Sequence, residues 1–129
     1  MSHEELLIKS FVLPTKQGRY LNLIGTKKGR EKFRTYIAHF NDLNAKYCIP
    51  LITIKGYSEL TNLLVSKGAD TTCYVISENS TYDMNVLALE DANYKLFDSG
   101  IGYFLSLEPG KLVYYEGEGP NNKFLLQFF

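Results

Sequence analysis

Tryptophan is absent from this chain of 129 residues, cysteine occurs only twice, and no apolar run approaches the length of a membrane span. Each absence narrows the reading. Without Trp, ring burial falls to ten Tyr and eight Phe, which bury much area with few rotatable bonds and so suit a small core. A membrane-crossing helix needs about 20 mostly apolar residues, so none is expected. Met1-Ser2-His3-Glu4-Glu5 is acidic where a secretion signal would be basic, and no apolar segment with a small-residue cleavage site follows. The expected location is the cytoplasm. Cys48 and Cys73 fit a reducing compartment as small buried hydrophobes, and their spacing matches no zinc pattern. No linker, repeat or low-complexity tract interrupts the chain, so residues 1–129 read as a single α+β domain.

The balanced charge conceals an asymmetry. Residues 1–67 hold 11 Lys/Arg against 5 Asp/Glu, and residues 68–129 hold 3 against 9. Such a split marks either a basic binding surface or two halves that attract each other.

The N-terminal half reads as about four helices. Ser2 and Glu5 have the spacing of a capping box, which starts a first helix carrying Leu6, Leu7, Ile8 and Phe11 inward. Pro14 opens a second helix that ends at about Ile24, before Gly25. A third, capped by Thr26, is predicted over Lys27 to Phe40, because Phe33, Tyr36, Ile37 and Phe40 share one face at helical pitch. Loop follows from Asn41 to Lys55, with an extended piece near Leu51 to Ile54. A fourth helix spans about Tyr57 to Lys67 and stops at Gly68.

Beyond Gly68 the pattern turns to β-branched and aromatic runs. Strands are predicted at Thr72 to Ser77, Ile101 to Leu107, Lys111 to Glu116 and Lys123 to Phe129, with a crossover helix over about Leu87 to Asp98. The expected architecture is α+β: the helical half packed on a small mixed sheet of β-α-β-β-β order. Its last three strands form an antiparallel meander, and the crossover makes the first two parallel if they are neighbours. Leu112-Val113-Tyr114-Tyr115 and Phe124-Leu125-Leu126 are apolar on both faces. Either helices cover both faces, or one face meets another subunit.

Four groups of residues are candidates for chemistry or contact. Lys27, Lys28, Arg30 and Arg34 on the basic third helix have the charge of a nucleic-acid footprint, although their spread over both flanks better fits a solvated face. Ser77, Glu78, Asn79 and Asp83 follow the first strand, at the end where open sheets collect ligands, and offer carboxylates and hydroxyls to a polar ligand or hard cation. Tyr114, Tyr115 and Phe128 are interface candidates if their strands lie exposed. Cys48, His39 and Asp42 have the right types for a nucleophile, base and orienter, but Cys48 sits beside Ile49-Pro50 in apolar surroundings rather than at an electropositive helix start. No residue is assigned a catalytic or metal-binding role, and nothing calls for a cofactor.

The leading reading is therefore a small cytosolic, non-enzymatic binding or protein-interaction domain, of regulatory or immunity type. Its partner is another protein or a second copy, a homodimer being slightly favoured because the terminal strand lacks gatekeeping charge past Lys123. The alternatives are a nucleic-acid binder using the basic helices of residues 16–34, and a small-ligand protein or enzyme with a polar site at the Ser77–Asp83 loop.

Overall fold

The computed structural model describes residues 2–119 and 121–128. Three helices come first: α1 (His3–Phe11), α2 (Pro14–Ile24) and α3 (Lys27–Thr35). The Ser2 hydroxyl accepts the Glu5 amide and the Thr26 hydroxyl accepts the Gly29 amide, so both expected caps are in place. A short strand β1 (Cys48–Pro50) and helix α4 (Tyr57–Ser66) follow. The second half runs β2 (Thr72–Ser77), β3 (Val86–Ala88), α5 (Leu89–Leu96), β4 (Tyr103–Glu108), β5 (Leu112–Glu116) and β6 (Lys123–Gln127). The sequence carries the last strand on to Phe129, which lies outside the described residues. Among the described residues, no helix is long and apolar enough to cross a membrane.

The predicted third helix is cut short. α3 ends at Thr35 and a separate 3₁₀ turn forms at Ile37–His39. The Tyr115 hydroxyl accounts for the break, donating to the Ile37 carbonyl (2.6 Å) and accepting the Phe40 amide (3.1 Å). Backbone groups that a continuing helix would pair internally are met by a side chain from the sheet. The turn lies hard on that sheet. A Cβ at Gly102 would come within 2.5 Å of the Ala38 backbone, so only glycine fits there.

The six strands form one sheet in the order β1-β6-β5-β4-β2-β3, and every neighbouring pair is antiparallel. The expected mixed sheet, with its first two strands parallel, is thereby corrected. β3 falls at the edge of the segment read as the crossover helix. It reverses the chain beside β2 before α5 crosses, so the helix joins β3 to β4, which point the same way on opposite sides of β2. The meander β4-β5-β6 is as expected, and its first turn has Gly110 at φ +73 with Lys111 N bonded to Glu108 O, as a type II turn requires.

Both faces of the sheet are covered, which explains strands apolar on both sides. On one face Ile76, Phe104, Val113, Tyr115 and Leu126 meet α1, α2 and α3. On the other Val75, Leu105, Tyr114 and Leu125 meet α4 and α5. The strand apolar in sequence at the end of the chain is not an edge, because β1 pairs along β6. The edges are the two three-residue strands β1 and β3.

Phe33, Ile37, Phe40, Leu60, Leu64, Val75, Phe104 and Leu105, the side chains predicted as core, are all buried. Phe33 is wholly enclosed, with Tyr20 and Phe40 edge-on at centroid distances of 5.9 and 6.1 Å. Phe33→Ala is expected to lower unfolding free energy by about 3–5 kcal/mol in urea denaturation. A loss under about 1 kcal/mol, typical of a surface change, would show that α3 is not seated on the sheet as described.

Candidate functional site

The loop after β2 is where the sequence places a polar site, and it is where the two halves of the chain meet. The Asp83 carboxylate faces two arginines of α3: Arg30 reaches it at 2.5 and 3.1 Å, and Arg34 Nε lies 3.4 Å away. One carboxylate oxygen also accepts the Ser77 amide at 3.0 Å. Arg30 donates on its other side to Glu4 of α1 (2.8 and 3.2 Å), which in turn accepts the Tyr74 hydroxyl. Arg34 donates to the Ser77 and Glu78 carbonyls, each at 2.9 Å, and to Glu31.

Every candidate in the loop is occupied in this way. Ser77 is buried, its hydroxyl accepting the Asn79 amide. Asn79 Oδ1 accepts the Thr81 amide and closes the turn, and Glu78 accepts the Gly102 amide at 3.2 Å. The geometry is that of a fastening between β2 and α3, with the carboxylates already facing cations and amides. Burial works against the charge on Arg30, but its hydrogen bonds to Asp83 and Glu4 hold its pKa above the ordinary value. Burial and the neighbouring Glu4 push the Tyr74 phenol up to about 12.

The same contacts decide the fate of the basic candidates. Arg30 and Arg34 are directed inward, while Lys27 and Lys28 stay exposed on the first turn of α3. The asymmetry in charge is thus answered partly inside the molecule, by arginines of the basic half on Asp83 of the acidic half.

Tyr114 and Tyr115 lie on a central strand and are buried, one in each core, so they offer no surface to a partner. The Tyr103 and Tyr114 hydroxyls converge on one oxygen of buried Glu116 (3.0 and 2.8 Å), and its other oxygen accepts the Asp98 amide at 2.9 Å. Burial raises the Glu116 pKa above the ordinary carboxylate value despite these donors. Phe128 is half exposed and stacks on Tyr47.

The Cys48, His39 and Asp42 set does not assemble. His39 is exposed and faces Glu118 at 2.9 Å, while Asp42 accepts the Tyr20 hydroxyl. Cys48 contacts the Asn44 carbonyl, and burial raises its pKa, away from the thiolate a nucleophile needs. Among the described residues, no three His, Cys, Asp or Glu side chains are grouped to hold a metal ion.

One pairing escapes sequence reasoning altogether. His3 Nδ1 lies 2.7 Å from the Ser106 hydroxyl, its ring stacked on Tyr74 at 4.5 Å. The residues stand 103 positions apart, and no local pattern announces them. Ser106 is buried and the hollow beside it holds only about 130 Å³. Among the described residues no carboxylate hydrogen-bonds the imidazole to orient it, so the pair lacks the third member of a nucleophilic set.

Asp83→Asn leaves two largely buried arginines against a neutral amide. It should cost about 3–5 kcal/mol, against a change within about 0.5 kcal/mol for exposed Lys27→Ala, both read by denaturant unfolding. Equal, small effects would remove the fastening role. For Glu116 the sign runs opposite to a paired surface carboxylate. Its folded pKa is raised, so as pH climbs past the ordinary glutamate value near about 4.3 the unfolded chain releases its proton first, and the residue's contribution to stability falls. Glu116→Gln abolishes that titration, so the stability difference between wild type and variant should shift in favour of the variant with rising pH. A pH-independent difference would contradict it.

No protein-family model, no curated protein and no solved structure matches the chain.

Proposed function

We propose that the chain is a non-enzymatic protein-interaction domain, of regulatory or immunity type, that contacts its partner through the outer surface of the α4–α5 layer. The observation that carries this reading is where large apolar side chains remain exposed. Tyr57, Thr61 and Val65 recur every four residues along α4, on the side where Thr61 receives a hydrogen bond from Asn93 of α5. Val65 is 53% exposed and Tyr94 of α5 is 68% exposed. Tyr57 and Tyr94 stand edge-to-face across the seam at 5.2 Å, and the loop entering α4 adds Ile52 at 72% exposure.

Tyrosine is enriched among residues that anchor protein interfaces, since its ring supplies contact area and its hydroxyl a hydrogen bond. The polar clusters of the molecule support the same reading from the other direction. Among the described buried side-chain atoms only Asn93 Oδ1 lacks a partner, and the carboxylates, arginines and tyrosines of the buried clusters are engaged with one another. A domain of this build acts by being occupied rather than by turning over.

The test is affinity capture from the native cell with the whole chain as bait, in nuclease-treated and untreated arms, beside a Tyr57→Ser/Tyr94→Ser variant. A captured protein that survives nuclease and is lost with the variant is the expected result. With the purified pair, Tyr94→Ala should weaken binding by about 30-fold, the effect of removing a contact worth about 2 kcal/mol. Retention seen only without nuclease, and abolished by Lys27→Ala/Lys28→Ala, would replace this reading by nucleic-acid binding.

A further inference from the structure

The cluster around Arg30 has one polar group to spare. Glu4 of α1 is only 7% exposed, and its Oε1 accepts Arg30 Nε, Arg30 Nη2 and the Tyr74 hydroxyl. Its Oε2 accepts no hydrogen bond among the described residues. Asn93 Oδ1 is the only described side-chain N or O atom both sealed from solvent and unpaired, so Glu4 Oε2 is open to the cavity that Glu4 lines. A carboxylate so far removed from water calls for a donor on each oxygen.

That cavity holds about 550 Å³, a size typical of small-molecule sites. It lies beside α1 and the C-terminal end of α2, in the layer on the opposite side of the sheet from α4 and α5. Arg30 and Tyr74 flank Glu4 on its wall, and Leu21, Ile24 and Met84 supply apolar surface.

The hydrogen-bonding capacity left on this wall is mainly that of an acceptor. Four N–H bonds of Arg30 run to Glu4 and Asp83, of the five a guanidinium offers. The Tyr74 proton goes to Glu4, and the Ser2 proton to Glu5 Oε1 at 3.4 Å. Lys9, also on the wall, is not free. α2 ends against the cavity at Ile24 and Gly25, and its last turn carries no basic residue to meet the negative end of the helix dipole. An anion here would face Glu4 and Glu5 together, whereas a cation finds two carboxylates and a helix C-terminus.

We propose that this cavity binds a small organic amine, its protonated amino group donating to Glu4 Oε2 and Glu5 and its apolar body lying against Leu21, Ile24 and Met84. A charge-assisted hydrogen bond fixes the amino end, and the flexible Met84 side chain adapts to the apolar end. The site is independent of the α4–α5 surface, which it leaves open.

The test titrates the whole chain with phenylbutylamine, phenylbutanol and phenylbutyrate, which share an apolar body and differ in their polar end. Backbone amide NMR shifts report where each probe sits. The amine should move the Glu4, Gly25, Tyr74 and Met84 amides together. It should bind at least about tenfold more tightly than the alcohol, the effect of a hydrogen bond to a charged group, and the carboxylate should bind more weakly than either. Glu4→Gln should remove the amine's advantage while leaving the alcohol's Kd unchanged. If that variant folds poorly, Met84→Lys places a cation beside the amine from an exposed position and should weaken the amine while sparing the alcohol. No shift at these amides at millimolar probe, equal affinity for amine and alcohol, or an amine Kd unchanged in the folded variants each overturns the proposal. Tyr57→Ser/Tyr94→Ser should bind the amine as wild type does, so this result and partner capture are read separately.

Discussion

The carboxylate of Asp83 is the contact on which the arrangement of the two halves depends. It sits at the end of the loop after β2 and holds Arg30 and Arg34 of α3, with Glu4 of α1 on the far side of Arg30. Asp83 thereby ties α3 of the basic half to the sheet of the acidic half, and Glu4 brings α1 to the same cluster through Arg30 and Tyr74. The charges are largely removed from water, where an unpaired partner is far more damaging than an unpaired surface charge. The same geometry engages the ligand-like side chains of the loop with the protein's own cations and amides.

A second constraint acts through the sheet. Its central strands are apolar on both sides, and each side needs a layer of helices. α1 to α3 supply one layer and α4 with α5 the other. Tyr115 and Tyr114, adjacent on β5, serve opposite layers: one hydroxyl organises the turn after α3, the other meets buried Glu116. The aromatic residues that replace tryptophan in this chain thus do two jobs, filling cores with rings and terminating backbone or carboxylate groups with hydroxyls.

Large apolar side chains left exposed include Val65 and Tyr94 of the α4–α5 layer, Ile52 on the loop entering α4, and Met84 and Val86 at the β3 end of the sheet. Because helices close both faces of the sheet, these positions fall on the helix layer and at one sheet edge rather than on a sheet face.

What the amino-acid order determined by itself was local. The caps at Ser2 and Thr26, the β-branched run Thr72 to Ser77 and the Pro109-Gly110 turn are each set within a few residues, and each is found as read, whereas the helical stripe keeps Phe33 on α3 and passes Ile37 to the 3₁₀ turn beyond it. The fold class and the final meander follow from the same short-range patterns. What the tertiary structure decided was pairing. Three residues at Val86–Ala88 are too few to announce a strand, yet they turned an expected parallel neighbour into an antiparallel one. The candidate arginines and the candidate Asp83 were all legible as polar residues of interest, but not as partners of one another, since Arg30 and Asp83 lie 53 positions apart. Likewise the apolar pattern of β5 could not say whether helices or a second subunit would cover it. Periodicity reports which side of an element is apolar, whereas only the packed chain reports what lies against that side.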